Sequence, residues 1–260
     1  MCNGQSSGIQ GQCMGWRVPR LWGCHLTKTA LTTAQNHIIE RLPRTDRQRL
    51  LNLCEPVHLV LSDVLFVQGA PSLYAYFPVD GFISLLQRID THPPLEVGMV
   101  GREGMLGVQL ALGVATTPLL AVVQGSGSAW RVEQSAFQHE LLQSPALQQS
   151  LHRYVDVLMA QLAASASCQR FHLIGARLAR WLLMSQDRVH SDVFHVTHEI
   201  LAHMLGVRRV GVTVAARDLQ RRGLIEYHRG ELKVLDRIGL EAAACSCYNM
   251  DKEIYRTLMH

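Results

Sequence analysis

The spacing of apolar residues changes several times along the chain. Residues 1–35 show neither helical nor strand period and read as a flexible tail. From Ala34 to Cys54, Ile38, Ile39 and Leu42, then Leu50, Leu51 and Leu53, predict a short helix or a helix pair broken at Pro43. Between Glu55 and about Trp130, short runs rich in Val, Phe, Tyr and Leu are punctuated by Gly69, Pro71, Gly81, Pro93-Pro94, Gly98, Gly101, Gly113, Gly125 and Gly127. Turn signals at that interval predict a small β-roll or barrel. Helical spacing returns at Val132, and Leu147, Leu151, Tyr154, Val155, Leu158 and Leu162 then recur every three to four residues, the stripe of one long helix.

A narrow seam of this kind, running into Ala163-Ala164-Ser165-Ala166, can pack in parallel on a symmetry mate, which makes those six residues the expected dimer contact. The alternative is a helix laid on the β-domain. Phe171, Ile174, Leu178, Trp181, Leu182 and Ser185 mark a further amphipathic helix. Beyond it, Thr197 can cap a helix from His198 to Leu205, with Glu199 in its positively polarised first turn and Gly206 as its stop.

Two helices that cross steeply around a tight turn need a small residue at their contact, a glycine about four positions later and apolar inner faces. Ala202, Gly206, Leu201 and Leu205, and then Val207, Val212, Ala215 and Leu219, meet each demand. With that face buried, Arg208, Arg209, Thr213 and Arg217 lie on the opposite side of the second helix, where a major groove would meet them. Arg221 and Arg222 fall near the helix end, where phosphates are the expected partners, and Thr197 and His198 join the contact set from the first helix. Leu224-Ile225-Glu226-Tyr227 and Glu231-Leu232-Lys233-Val234-Leu235 then predict two strands around His228-Arg229-Gly230, a wing with Arg229 at its tip.

Composition adds a direction to this picture. The net charge is +4, and residues 169–260 carry 14 Lys and Arg against 10 Asp and Glu while the preceding residues balance, so the basic excess sits beside the predicted turn. A local excess of that sign suits a polyanion. No apolar run approaches the roughly 18 to 20 residues that cross a bilayer. The first thirty residues lack the charged start and apolar core of a secretory signal, which points to the cytoplasm and to seven largely reduced cysteines.

The stretch His198-Glu199-Ile200-Leu201-Ala202-His203-Met204-Leu205-Gly206-Val207-Arg208-Arg209, with its continuation from Leu219 to Leu235, resembles the winged helix of the Crp/Fnr transcription regulators. The resemblance reaches back through the β-region and the long helix. It implies an α+β chain: a tail over 1–35, a cyclic-nucleotide-binding-like β-roll (double-stranded β-helix) sensor over 36–146, and a dimerisation helix over 147–168. A winged helix-turn-helix over 169–240 and a helical extension over 241–260 complete it. The implied function is a homodimeric regulator bound to a palindromic site in double-stranded DNA, with RNA polymerase as a further candidate partner, no catalysis and an unidentified small-molecule effector. A β-roll enzyme with an appended helical domain, or a sensor acting through protein contacts alone, are the rival readings.

Nucleotide-binding members of that family hold ribose with a Glu and the cyclic phosphate with an Arg. The corresponding segments read Gly104-Met105-Leu106-Gly107-Val108-Gln109 and Thr116-Thr117-Pro118, and no Lys or Arg occurs between Arg102 and Arg131. A signal other than cyclic AMP is therefore expected. Cys2, Cys13 and Cys24 resemble no iron-sulfur run, Cys54 and Cys168 stand alone in sequence, and Cys245-Ser246-Cys247 is tighter than a usual zinc knuckle. His198 and His203, five apart, do not converge on one ion. Neither a metal nor a cofactor is expected.

Overall fold

The proline-broken pattern at the start becomes α1 (His37–Glu40) and α2 (Arg44–Leu53) in a computed structural model that describes residues 36–260. The expected tail and Cys2, Cys13 and Cys24 lie outside the described residues. Asn36, fully buried, caps α1 by accepting from the Ile38 N–H at 3.1 Å, and its amide donates to the carbonyls of Pro78 and Gly104 at 2.9 and 2.8 Å. One side chain thus starts the helix and fastens it to the sheets behind it.

Those sheets are antiparallel. β1 (Glu55–Leu59), β7 (Gly127–Glu133) and β3 (Tyr74–Pro78) make one, in that order. The other is β2 (Val64–Phe66), β6 (Leu120–Gly125), β4 (Phe82–Gln87) and β5 (Leu95–Val100). Only Ser126 separates β6 from β7, so the chain changes sheet at a corner. Gly81 completes that corner with φ of +72°, and a Cβ there would lie 2.3 Å from the Gly125 carbonyl oxygen. Phe66, Tyr76, Ile83, Leu85, Val100 and Leu106 are among the side chains that fill the space between the sheets. The β-roll expected from the turn spacing is the observed fold.

After α3 (Gln134–Gln143) comes α4 (Pro145–Phe171), started by Ser144, whose hydroxyl accepts from the Leu147 N–H at 3.1 Å, and by proline at its first position. Part of the stripe expected at a dimer contact is taken up within the chain. Leu147, Leu151 and Tyr154 are 0, 0 and 1% exposed within the single chain and pack with Phe77, Met105 and Phe137, while Leu158 is half-buried against the same cluster. That stripe faces the roll, and α4 packs on β5 and α3. The solvent side of α4 carries half-buried Val155 and Leu162 around Met159, which is 62% exposed, and Ala166 beyond them.

α5 (Ile174–Val189) is buried on nearly every side, between the roll and the helices that follow it. Its Trp181 indole N–H donates to a carboxylate oxygen of Glu96 on β5 at 2.8 Å, and the other oxygen accepts from the Ser84 hydroxyl. Arg188 pairs with Glu103 at 2.6 Å. The remaining elements are β8 (Val193–His195), α6 (His198–Leu205), α7 (Arg209–Arg221), β9 (Ile225–His228), β10 (Glu231–Val234), α8 (Arg237–Ala243) and α9 (Cys247–Met259), with α9 lying along α4. Cys168, isolated in sequence, joins Cys245 and Cys247 in one small buried cluster. No helix among the described residues is long and apolar enough to cross a membrane.

Glu96 gives this packing a pH signature. Burial pushes its carboxyl up from the ordinary 4.5 to about 7, against the pull of its hydrogen bonds to Ser84 and Trp181 and of the Arg188 and Arg180 charges. The folded chain therefore holds this proton over a range in which the unfolded chain has lost it. The stabilisation is complete below pH 4.5 and is lost as pH rises through about 7. In Glu96→Gln the amide makes both hydrogen bonds without ionising. Its stability in urea should gain on the wild type with rising pH, by on the order of 2 kcal/mol at the alkaline end. A difference between the two proteins that stays constant with pH would refute the assignment.

Candidate nucleic-acid interface

The sequence signals around residue 200 act locally, and the structure follows them closely. Thr197 caps α6, its hydroxyl accepting from the Ile200 N–H at 3.2 Å. Leu201, Ala202, Met204 and Leu205 turn inward. Gly206 ends the helix in the left-handed region with φ of +62°, and a Cβ there would lie 2.6 Å from a methyl of Leu95 on β5. Glycine is thus required twice, by the turn and by the roll against which the turn sits.

On α7 the inner face is Val212, Ala215, Ala216 and Leu219, with Val207 half-buried before it. Arg208, the residue before the first turn, Arg209 and Arg217 are exposed. No side chain caps this helix, so its first N–H groups and the positive end of its dipole are left for another acceptor. Val210 and Val214, 72 and 63% exposed, flank the arginines on the outer face. Periodicity overlooks these two because a valine on an amphipathic helix reads as core. Their spacing of four from each other, in step with Arg217 and Arg221, is the signal that places them outside.

Thr213 has partners within the chain. It is half-buried, its hydroxyl donates to the Arg209 carbonyl at 3.0 Å, and it sits 3.0 Å from Nδ1 of His198. His198 in turn stacks on Tyr227 of β9, with ring centroids 4.5 Å apart, and the Tyr227 hydroxyl donates to the Val196 carbonyl at 2.8 Å. Burial, reinforced by the charges of Arg209 and Arg217, holds the His198 imidazole below its ordinary pKa. Thr213 and His198 therefore form a polar joint between α6, α7 and the hairpin, which sets the angle at which the arginines are presented.

The hairpin has the two-residue turn Arg229-Gly230, both with positive φ, of +49° and +86°, and Arg229 is exposed at its tip. A third strand, β8, pairs with β10 and was not expected, since three residues among polar neighbours carry no period. It matters locally, because a Cβ on Gly230 would lie 2.7 Å from the His195 ring on β8. Arg221 pairs with Asp218, and Arg222 lies 3.7 Å from the same carboxylate, all at exposed positions. Pairs so open to water are worth about 0 to 1 kcal/mol, and either guanidinium can leave for a phosphate at small cost.

The expected nucleotide segments in the roll offer no charged ligand group. Met105 and Leu106 are buried in apolar clusters, Gln109 donates to the Ser72 hydroxyl at 2.9 Å, and the Thr117 hydroxyl bonds the Leu119 main chain. A cavity of about 670 Å³ instead opens outside the roll, between α4, α5 and α9, lined by Tyr154, Gln161, Arg188, Tyr248 and Lys252 among others.

Residues 176–243 match the Crp-like helix-turn-helix domain. No curated protein matches the chain. Solved structures do. FixK2 from Bradyrhizobium japonicum superposes with a TM-score of 0.62 at 12% identity, over 74% of this chain and 98% of its own. The c-di-GMP responsive global regulator CLP from Xanthomonas campestris gives 0.60 at 16% identity, over 74 and 99%. A transcriptional regulator of the CRP family from Thermus thermophilus gives 0.57 at 21% identity, over 72 and 95%. At these identities the likeness is one of fold.

Proposed function

We propose that this chain, a Crp/Fnr-type transcription regulator by its fold and its Crp-like helix-turn-helix domain, works as a homodimer that sets two copies of α7 into a palindromic operator. The observation that carries the reading is the division of α7, with Val212, Ala215, Ala216 and Leu219 sealed inward and Arg209, Val210, Val214 and Arg217 left in water. Two exposed valines between arginines are costly on a surface with nothing to meet. In a major groove they match thymine methyls, while a guanidinium fork matches O6 and N7 of guanine. Arg208, Arg221, Arg222 and Arg229, around the rim, suit phosphates, and the uncapped start of α7 suits another.

Two recognition helices reach successive major grooves when they stand about 34 Å apart, which a shared helix can fix. The solvent side of α4 offers the contact. Val155, Met159, Leu162 and Ala166 follow one another at intervals of four, three and four, the spacing of a parallel seam. Leu147, Leu151, Tyr154 and Leu158 support it from behind by holding the helix to the roll.

For the sensor, the filled interior of the roll and the missing cation argue for an effector other than cyclic AMP. The cavity beside α4 and α5 lies where an occupant would touch the seam helix and the helix that carries the DNA-binding unit. The cytoplasm is the compartment in which such a regulator meets its operator.

Three outcomes follow. Arg209→Ala should cost about 1 to 3 kcal/mol on the specific site and relax preference at one base pair of each half-site, whereas Arg222→Ala should weaken all sequences alike and flatten the salt dependence. Selection from random duplexes followed by gel-shift titration tests both, and equal losses on specific and random DNA for Arg209→Ala would remove the base-reading role. Met159→Glu should split the dimer in sedimentation and drop operator affinity towards the non-specific level, about 1,000-fold weaker or more, while the monomer keeps its native circular dichroism. A dimeric Met159→Glu protein would place the contact elsewhere. Calorimetric titration with cyclic AMP should show no micromolar binding, and its appearance would overturn the sensor assignment.

A further inference from the structure

Where α4 ends, four side chains with affinity for soft metals come together from two distant parts of the chain. Cys168 lies in the last turn of α4 and His172 is the residue that closes it, four positions on, so both project from one side. Cys245 and Cys247 come from the link between α8 and α9. The Cys245 N–H donates to the Ala176 carbonyl at 3.3 Å, which holds this link against the start of α5. The three cysteines are buried and unbridged, and His172 is half-buried.

All four potential ligand atoms lie within 4.8 Å of one another. The Cys168 and Cys245 sulfurs are 3.5 Å apart, and the Cys247 sulfur is 3.5 Å from Nδ1 of His172. A tetrahedral ion with metal–sulfur bonds of about 2.3 Å and a metal–nitrogen bond of about 2.0 Å separates its ligands by about 3.5 to 3.8 Å. Two of the edges are already at that length. A disulfide would use two thiols at about 2.0 Å and leave the third thiol and the imidazole unexplained. An iron-sulfur cubane spreads its ligands over a far larger tetrahedron.

We propose that Cys168, His172, Cys245 and Cys247 form a closed tetrahedral site for a single zinc-class divalent ion. Three thiolates, a neutral imidazole and a dication leave one net negative charge. Arg177 and Arg180 border the recess beside Cys168 and offset it. With four protein ligands no position remains for substrate water, so the site is structural, and it pins the link between α8 and α9 to the junction of α4 and α5. The sequence pattern hides it because Cys245-Ser246-Cys247 is read alone, whereas the partners that complete it stand on a helix end 77 residues away from Cys245.

The test uses the full chain carrying Cys2→Ser, Cys13→Ser and Cys24→Ser, purified reduced and without added chelator. Elemental analysis should find one zinc per chain. After exchange, Co²⁺ should give the intense visible bands of a tetrahedral ion together with thiolate-to-cobalt charge transfer. Cys168→Ser and Cys247→Ser, made singly, should each weaken Co²⁺ binding by more than the about 10- to 100-fold that loss of an outer-shell partner costs, and Cys54→Ser should leave it unchanged. Should those variants fail to fold, alkylation of the parent chain decides: Zn²⁺ should shield Cys168, Cys245 and Cys247 from iodoacetamide, and a chelator should expose them. A weak octahedral cobalt spectrum, equal labelling with and without Zn²⁺, or charge transfer unaltered in the folded Ser variants would overturn the site. So would iron with inorganic sulfide on these residues, or a disulfide that re-forms in preference to metal.

Discussion

Three arginines buried on one helix cannot remain there without partners, and satisfying them positions everything around α5. Arg177, Arg180 and Arg188 are each less than 10% exposed. Arg177 donates to the Leu205 carbonyl at the end of α6, Arg180 pairs with Asp251 on α9 at 2.6 Å, and Arg188 pairs with Glu103 at the edge of the roll. Removing one partner of such a pair strands a charge, at a cost of about 3 to 5 kcal/mol, so the bonds are mutually enforcing. They run to the helix-turn-helix, the C-terminal helix and the β-roll. Trp181 adds the fourth tie, to Glu96 on β5. A helix expected from its period to be merely amphipathic is the hub of the chain.

The legibility of the rest follows the range of the forces. The turn around Gly206 could be read residue by residue because a cap, a left-handed glycine and a small contact act within a dozen positions, and Thr197, Ala202 and Gly206 stand where they were expected. The β-roll was legible as texture, through its turns, without its strand order. Periodicity recognised α4 but ran residues of two faces into one stripe. Leu147, Leu151, Tyr154 and Leu158 form the stronger stripe, and a stripe states that a face is buried without stating by what. Val155 and Leu162, which that reading included, fall with Met159 and Ala166 on the other side of the helix. The cluster of Cys168, His172, Cys245 and Cys247 lay beyond sequence reading for a related reason, since its halves approach only through the packing of α9 on α4.

Thr213 teaches a narrower point. A side chain on the outer face of α7 can still be tied to the rest of the chain. Its hydroxyl is committed to the Arg209 carbonyl and to His198, and through the stacked His198 and Tyr227 rings it joins the helix to the wing. A group held in this way supplies stiffness. Arg209 then presents its guanidinium from a backbone whose carbonyl is fixed, and Arg229 does so from a hairpin registered against the same ring. The base readout proposed for α7 would depend on that rigidity as much as on the arginines, because a fork that misses its base by an ångström contributes charge without discrimination.

The end of α4 is where these constraints meet. Its exposed face carries the seam proposed for the dimer, its buried face rests on the roll, and only His172 and Leu173 separate it from α5. A change at the cavity between α4, α5 and α9 could reach α6 through α5, which Arg180 and Arg188 tie to α9 and the roll and Arg177 ties to the Leu205 carbonyl, but only if the junction moves as one piece. Left to two residues of linker, it would absorb the displacement by bending. Ligation of Cys168, His172, Cys245 and Cys247 would supply the missing stiffness, because it ties the last turn of α4 to the link leading into α9 on the side away from the seam. The ion proposed there would thus serve the rigidity of the junction between α4, α5 and α9, around the helix that bears three buried arginines.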